Sequence, residues 1–167
     1  MSADESNEPR SGAPDAAAGR FAIQKIYLKD ASFESPNAPA AFNGEWKPNV
    51  ELNLANNANR IGAELYEVVV TVTATVSVGG KTAFLVEVHQ AGIFSIGGVE
   101  DDRLGPLLGS FCPGILFPYA REAVSDLVTR GGFPQFLLSP VNFDVLYRQH
   151  LESQAAEGSR EASRPAS

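Results

Sequence analysis

The sequence predicts an α+β layer fold, and three observations carry that prediction. Strand-like patterns fill the first half of the chain, helix-like patterns fill the second, and one long segment between them alternates strictly enough to require a single dry face. In that segment Tyr66, Val68, Val70, Val72, Ala74, Val76 and Val78 share one parity, while Glu67, Thr71, Thr73, Thr75 and Ser77 take the other.

Taken in order, residues 1–20 are built of Ser, Ala, Gly, Pro and Glu, and residues 152–167 are similarly poor in apolar side chains. Neither end can bury enough area to offset its ordering entropy, so both are expected to be disordered tails around one domain spanning 21–151. Phe21 to Asp30 reads as a first strand whose apolar positions change phase between Ile23 and Ile26, which calls for a bulge. Ser35-Pro36-Asn37-Ala38-Pro39 then breaks any regular element. Val50, Leu52 and Leu54 alternate with Glu51 and Asn53 as a short half-buried strand.

Gly79-Gly80-Lys81 turns the long third strand back into a fourth, Thr82 to Ile96, and burial decides the register. A two-residue loop would set Val72 opposite Glu87. A three-residue loop sets Val72 opposite Val88, Ala74 opposite Val86 and Val76 opposite Phe84, which keeps the dry face dry. That register leaves Ala83, Leu85, Glu87 and His89 beside the threonines on the outer face, where Leu85 has no intrachain reason to be.

The second half reads as helices. Pro118 suits a first helical position, Ala120, Val124, Leu127 and Val128 share a face, and Gly131-Gly132 ends the run. Phe143, Leu146, Tyr147, His150 and Leu151 recur at helical spacing in a last helix. Leu104, Leu107, Leu108 and Phe111 suggest another, which Gly105, Pro106 and Gly109 weaken.

Charge narrows the function. Of the 20 acids and 13 bases, residues 1–20 hold four and two and residues 151–167 three and two, which leaves thirteen against nine in the body. An acidic body without a Lys/Arg cluster repels phosphate backbones and favours a cationic partner over nucleic acid. The one cysteine cannot form an intramolecular disulfide, and no apolar run reaches the length of a membrane span. With neither a basic start nor an apolar signal segment, the expected location is the cytoplasm.

No set of residues suggests catalysis. Gly80-Lys81-Thr82 resembles the end of a phosphate-binding loop but lacks the upstream glycine and joins two strands. Cys112 sits between Phe111 and Pro113, a context for an inert thiol, and two histidines share no ligand spacing with it. Glu100-Asp101-Asp102 lies ahead of a helical stretch, where acids favour the N-terminus. The expectation is a protein with no enzymatic activity, no cofactor and no metal. Two readings stay open from the residues alone: Asp30 and Glu34 are either solvated surface or a docking site, and Trp46, Phe42 and Phe33 either anchor a loop or line an apolar groove.

Several blocks, in order, resemble the SecB family of bacterial protein-export chaperones over nearly all of residues 21–151. They are Ile26 to Pro39, Tyr66-Glu67-Val68, Gly92-Ile93-Phe94-Ser95-Ile96, Cys112-Pro113, Leu116 to Glu122, Phe133-Pro134 and Pro140 to Asp144. The resemblance implies a four-stranded antiparallel sheet with helices on one face, assembled as a homotetramer, a dimer of dimers. It implies a holdase that binds unfolded secretory precursors in surface grooves and hands them to the translocation ATPase SecA. It places docking of the basic, zinc-containing SecA tail on Asp30, Glu34, Leu85 and Glu87. Client binding would fall to Trp46, Val50, Leu52 and Leu54, and tetramer integrity to Val86, Val88 and Gln90. Leu28, Gly114 and Pro106 depart from the family pattern, Pro106 within a segment that usually runs as uninterrupted helix.

Overall fold

The alternating segment organises the molecule. In the computed structural model, which describes residues 19–163, it forms β3 (Leu65–Val78), and Val68, Val70, Val72, Ala74 and Val76 are wholly buried on one side. β3 pairs with β4 (Lys81–Gly97) and with β2 (Asn49–Gly62), and β1 (Arg20–Glu34) pairs with the far side of β4. The result is one antiparallel sheet in the order β1-β4-β3-β2. Across its dry face lies α2 (Cys112–Arg130), which packs on β4 and β3. Leu116, Ala120, Val124 and Val128 meet the β3 valines together with Phe84, Val86, Val88 and Phe94. Each fully buried aliphatic side chain contributes about 1.5–3 kcal/mol of transfer free energy, so this two-layer contact is the main source of stability.

The expected β3–β4 register is present: Val72 faces Val88, Ala74 faces Val86 and Val76 faces Phe84. It is reached by a different route. The loop has two residues, Gly79 and Gly80, both at positive φ (59° and 77°), and Val78 pairs directly with Lys81. A bulge between the Val76 and Ser77 rungs then adds the extra residue. Two glycines suit a tight hairpin turn, and the dry face demands one more residue of offset, so both requirements are met in succession. The bulge also corrects the placement of Ala83, which turns inward and is buried, its carbonyl accepting a hydrogen bond from the Ser35 hydroxyl at 2.9 Å.

β1 carries the anticipated bulge between Ile23 and Lys25 and a second between Leu28 and Asp30. Beyond the second, Asp30 stands opposite His89, Ser32 opposite Glu87 and Glu34 opposite Leu85. β2 is longer than its alternating core suggested, because its asparagine-rich half, a composition depleted in strands, is carried along by pairing to β3.

The helical half differs at both prolines. α1 (Asp101–Pro106), a π-helical turn (Leu107–Phe111) and α2 form one unbroken rod, so Pro118 lies inside a helix and does not begin one. A proline leaves the carbonyl four residues earlier without its donor. For Pro118 that carbonyl belongs to Gly114, which is exposed with open space beside it, so water can satisfy it. Pro106 is followed by the π turn, in which the Cys112 amide reaches back to the Leu107 carbonyl. Asp101 and Asp102 occupy the first turn of α1, as the helix-start reading requires. Gly131 and Gly132 end the rod, donating to the carbonyls of Leu127 and Thr129 at 2.9 and 3.0 Å.

Finally, α3 (Phe143–Ala162) starts on Asn142, whose side chain accepts from the Val145 amide at 3.2 Å. It continues past the boundary expected at 151, because Glu152 to Glu157 are good helix formers with no breaker among them. The tail expected over residues 1–20 lies mostly outside the described residues, and β1 begins at Arg20.

Candidate functional site

The outer face of the sheet can be written as three neighbouring rungs. Glu34, Leu85, Thr75 and Glu51 form the first, Ser32, Glu87, Thr73 and Asn53 the second, and Asp30, His89, Thr71 and Ala55 the third. Side chains opposite one another share a face. Asp30, Glu34, Leu85 and Glu87, singled out in the sequence, are therefore brought together on one surface, with Glu51 added from β2. These rungs hold four carboxylates and no lysine or arginine. Strands about 4.8 Å apart put the Glu34 and Glu51 backbones about 14 Å from one another, with Leu85 between them.

Glu87 is the most constrained of the acids. One carboxylate oxygen lies 2.7 Å from His89 Nε2, and the other accepts from the Thr73 hydroxyl at 3.0 Å. These contacts, His89 first and Thr73 second, hold its carboxyl below the usual carboxylate range. Next along the face, Lys29 Nζ lies 2.7 Å from Glu67, which also accepts from the Tyr27 hydroxyl. The Lys29 and Tyr27 contacts hold Glu67 low, and the bond to Glu67 pushes the Tyr27 phenol up to about 12. Lys29 is thus paired with Glu67 and not with the acidic rungs beside it.

The opposite face carries the remaining candidates. Val86, Val88 and Gln90 are buried inside the protomer, and the Gln90 side-chain amide donates to the Tyr27 carbonyl at 3.0 Å. None of the three presents a surface. Val50, Leu52 and Leu54 stand opposite Val76, Ala74 and Val72, and so point to the helix side. Yet α2 covers β4 and β3 and stops short of β2. Val50 and Leu52 are left 42% and 48% exposed, an apolar shelf along the sheet margin. Leu54, at its far end, enters a cleft of about 390 Å³ with Asn56, Gly109, Leu146, Tyr147 and His150. Trp46, before the shelf, packs on Phe133 at 5.7 Å between ring centres.

Phe133, part of a block that carries the family resemblance but given no role there, also meets Phe42 and Phe84, each at 5.0 Å. Phe33 packs against Phe84 and Phe133 and anchors β1, whereas Phe42 stays half exposed. The proline-rich connection thus anchors Phe33 and Trp46 on packed rings and leaves one face of Phe42 open. Glu51 could have been found from its parity, opposite to Leu52. Phe133, flanked by Gly132 and Pro134, lies in no periodic pattern, so nothing local pointed to its ring contacts.

The chemical alternatives separate in space. Cys112 is fully buried on the inner face, His89 lies on the outer face and His150 on exposed α3. Burial pushes the Cys112 thiol up to about 12. A disulfide reagent at pH 8 is expected to titrate no thiol in the native protein and one in denaturant; rapid native labelling would show that α2 opens. Gly80-Lys81-Thr82 runs from turn into strand, with no helix N-terminus to receive a phosphate. No helix among the described residues is long and apolar enough to cross a membrane.

Comparison with known proteins gives a family-model match over residues 14–154, described as preprotein translocase subunit SecB. The chain is 53% identical over 163 residues to a protein-export protein SecB of Nitrosococcus oceani, covering 96% of this chain and 98% of that one. It is 58% identical over 133 residues to one of Methylococcus capsulatus, covering 80% and 86%. Among solved structures it is similar, with a TM-score of 0.57 and 21% identity, to a SecB-like chaperone of Mycobacterium tuberculosis in complex with a ChAD peptide from the HigA1 antitoxin. That match covers 73% of this chain and 91% of that one, and it speaks for the fold.

Proposed function

The chain belongs to the SecB family, and from that membership we propose that it is an ATP-independent protein-export chaperone. It takes up unfolded secretory precursors on apolar surface, keeps them competent for translocation and delivers them to SecA. The observation that carries this reading is the unlikeness of the two faces: carboxylates around a leucine on one, an uncovered apolar margin on the other.

On the margin, Trp46, Val50, Leu52 and Leu54 offer area with few directional demands, which favours promiscuous binding of extended apolar segments. On the outer face, Asp30, Glu34, Leu85 and Glu87 receive the cationic, zinc-containing SecA tail, and Glu51 extends the same surface. The leucine supplies apolar contact while the acids supply attraction and orientation. Val86, Val88 and Gln90 support a homotetramer, a dimer of dimers, from within the core by fixing the sheet that the subunits present. The protein works in the cytoplasm, carries out no chemistry and consumes no nucleotide. Holding the unfolded state shifts the client's folding equilibrium by mass action alone, and release follows from the partner's competing interaction.

Dilution of a denatured secretory precursor, followed by light scattering, tests the reading. Stoichiometric protein is expected to suppress most of the aggregation without ATP. Unchanged scattering at a fourfold excess of protein would sink the holdase.

A further inference from the structure

The acidic rungs contain one imidazole, His89, and it is built into the hydrogen bonding of the most constrained acid. His89 Nε2 lies 2.7 Å from Glu87 Oε1, and its other ring nitrogen lies 3.3 Å from the Thr71 hydroxyl. Thr73 holds the remaining Glu87 oxygen at 3.0 Å. Thr71, His89, Glu87 and Thr73 thus form one continuous chain of contacts across β3 and β4. A neutral imidazole fits it by donating from Nε2 to Glu87 while Nδ1 accepts from Thr71. A protonated ring fits equally well, because the threonine hydroxyl can turn to accept. The geometry is the same in both states, and the charge presented to solvent differs by one.

The other groups facing His89 do not take over this role. Across on β1, Asp30 is the rung partner, and its carboxylate accepts from the Ala31 amide at 3.0 Å. Lys29 and Tyr27 are engaged with Glu67. β3 contributes only the hydroxyls of Thr71 and Thr73 near the ring. With side chains 31% and 42% exposed, His89 and Glu87 are open enough to meet a partner and covered enough to keep their pairing.

We propose that His89 is a positioning residue of the docking face: it aims the Glu87 carboxylate and, on protonation, cancels its charge, so capture of a cationic segment weakens as pH falls. The proposal rests on the docking role given to Glu87 above. Neutralising one carboxylate about 4 Å from a bound cation removes roughly 1 kcal/mol of attraction at the dielectric of bulk water, or about fivefold in affinity.

Calorimetric titration of the full-length protein with a zinc-loaded SecA-tail peptide, between pH 8 and pH 5.5, provides the test. Wild-type affinity is expected to fall about fivefold beyond that of His89→Gln, which keeps a donor to Glu87 but does not titrate. His89→Ala, which removes the aim as well, is expected to bind more weakly than His89→Gln already at pH 8. If His89→Gln keeps the full wild-type slope while Glu87→Gln weakens binding at pH 8, the inference on His89 is overturned and the docking face stands. If Glu87→Gln leaves binding at pH 8 untouched, the docking reading itself fails and takes this inference with it.

Discussion

Reversing Glu87 to lysine is expected to weaken binding of the SecA tail by one to two orders of magnitude while leaving suppression of client aggregation unchanged. The substitution replaces an oriented carboxylate with a like charge for a cationic segment, and such changes cost about 1.5–3 kcal/mol, which is roughly 10- to 150-fold. The lysine also loses the contacts to His89 and Thr73. Those groups are partly exposed, so water replaces the lost partners and the fold survives. Parallel titrations with tail peptide and with a denatured client measure the two activities on one sample. Equal losses in both would refute the assignment of separate surfaces.

Aspartate at both Val50 and Leu52 is expected to have the converse effect, raising the protein concentration needed for half-maximal suppression at least tenfold and sparing tail binding. Both side chains lie on the helix side of β2, about half exposed, and neither is covered by α2. Each anchor contributes about 1–2 kcal/mol of apolar contact to a bound segment, and an aspartate adds the cost of desolvating a charge. Because β2 is an edge strand and these positions already meet water, the penalty to folding is about 1 kcal/mol for each β-unfavourable residue. Circular dichroism and the melting temperature check that the pair still folds. Full retention of client holding would move the client surface elsewhere, to the Phe42–Phe133 aromatic cluster first.

Much of this was legible in the chain. The parity of residues 66–78 fixed which sides of β3 and β4 were dry, and parity alone put Leu85 and Glu87 outside with Val86 and Val88 inside. What was hidden depended on geometry that period and composition do not encode. Whether the offset behind Gly79-Gly80 came from a longer loop or from a bulge made no difference to the pattern downstream, so only Ala83 was misplaced. Pro118 reads as a helix start because prolines there are common, yet an exposed glycine four residues earlier makes an interior proline tolerable. Glu51 shows its outward parity in the sequence, but its place on the acidic rungs comes only through the long-range pairing of β2 with β3. Trp46 stands out as an aromatic beside the second strand, but its partner Phe133 comes from a loop nearly ninety positions away.

The sheet is one layer thick, and on the function proposed above cargo and receiver would address opposite sides of it. On that proposal neither would need the other to leave before it arrives. Transfer can then run as a relay in which the carrier is already berthed when the load shifts. In that scheme the timing of unloading belongs to the receiver.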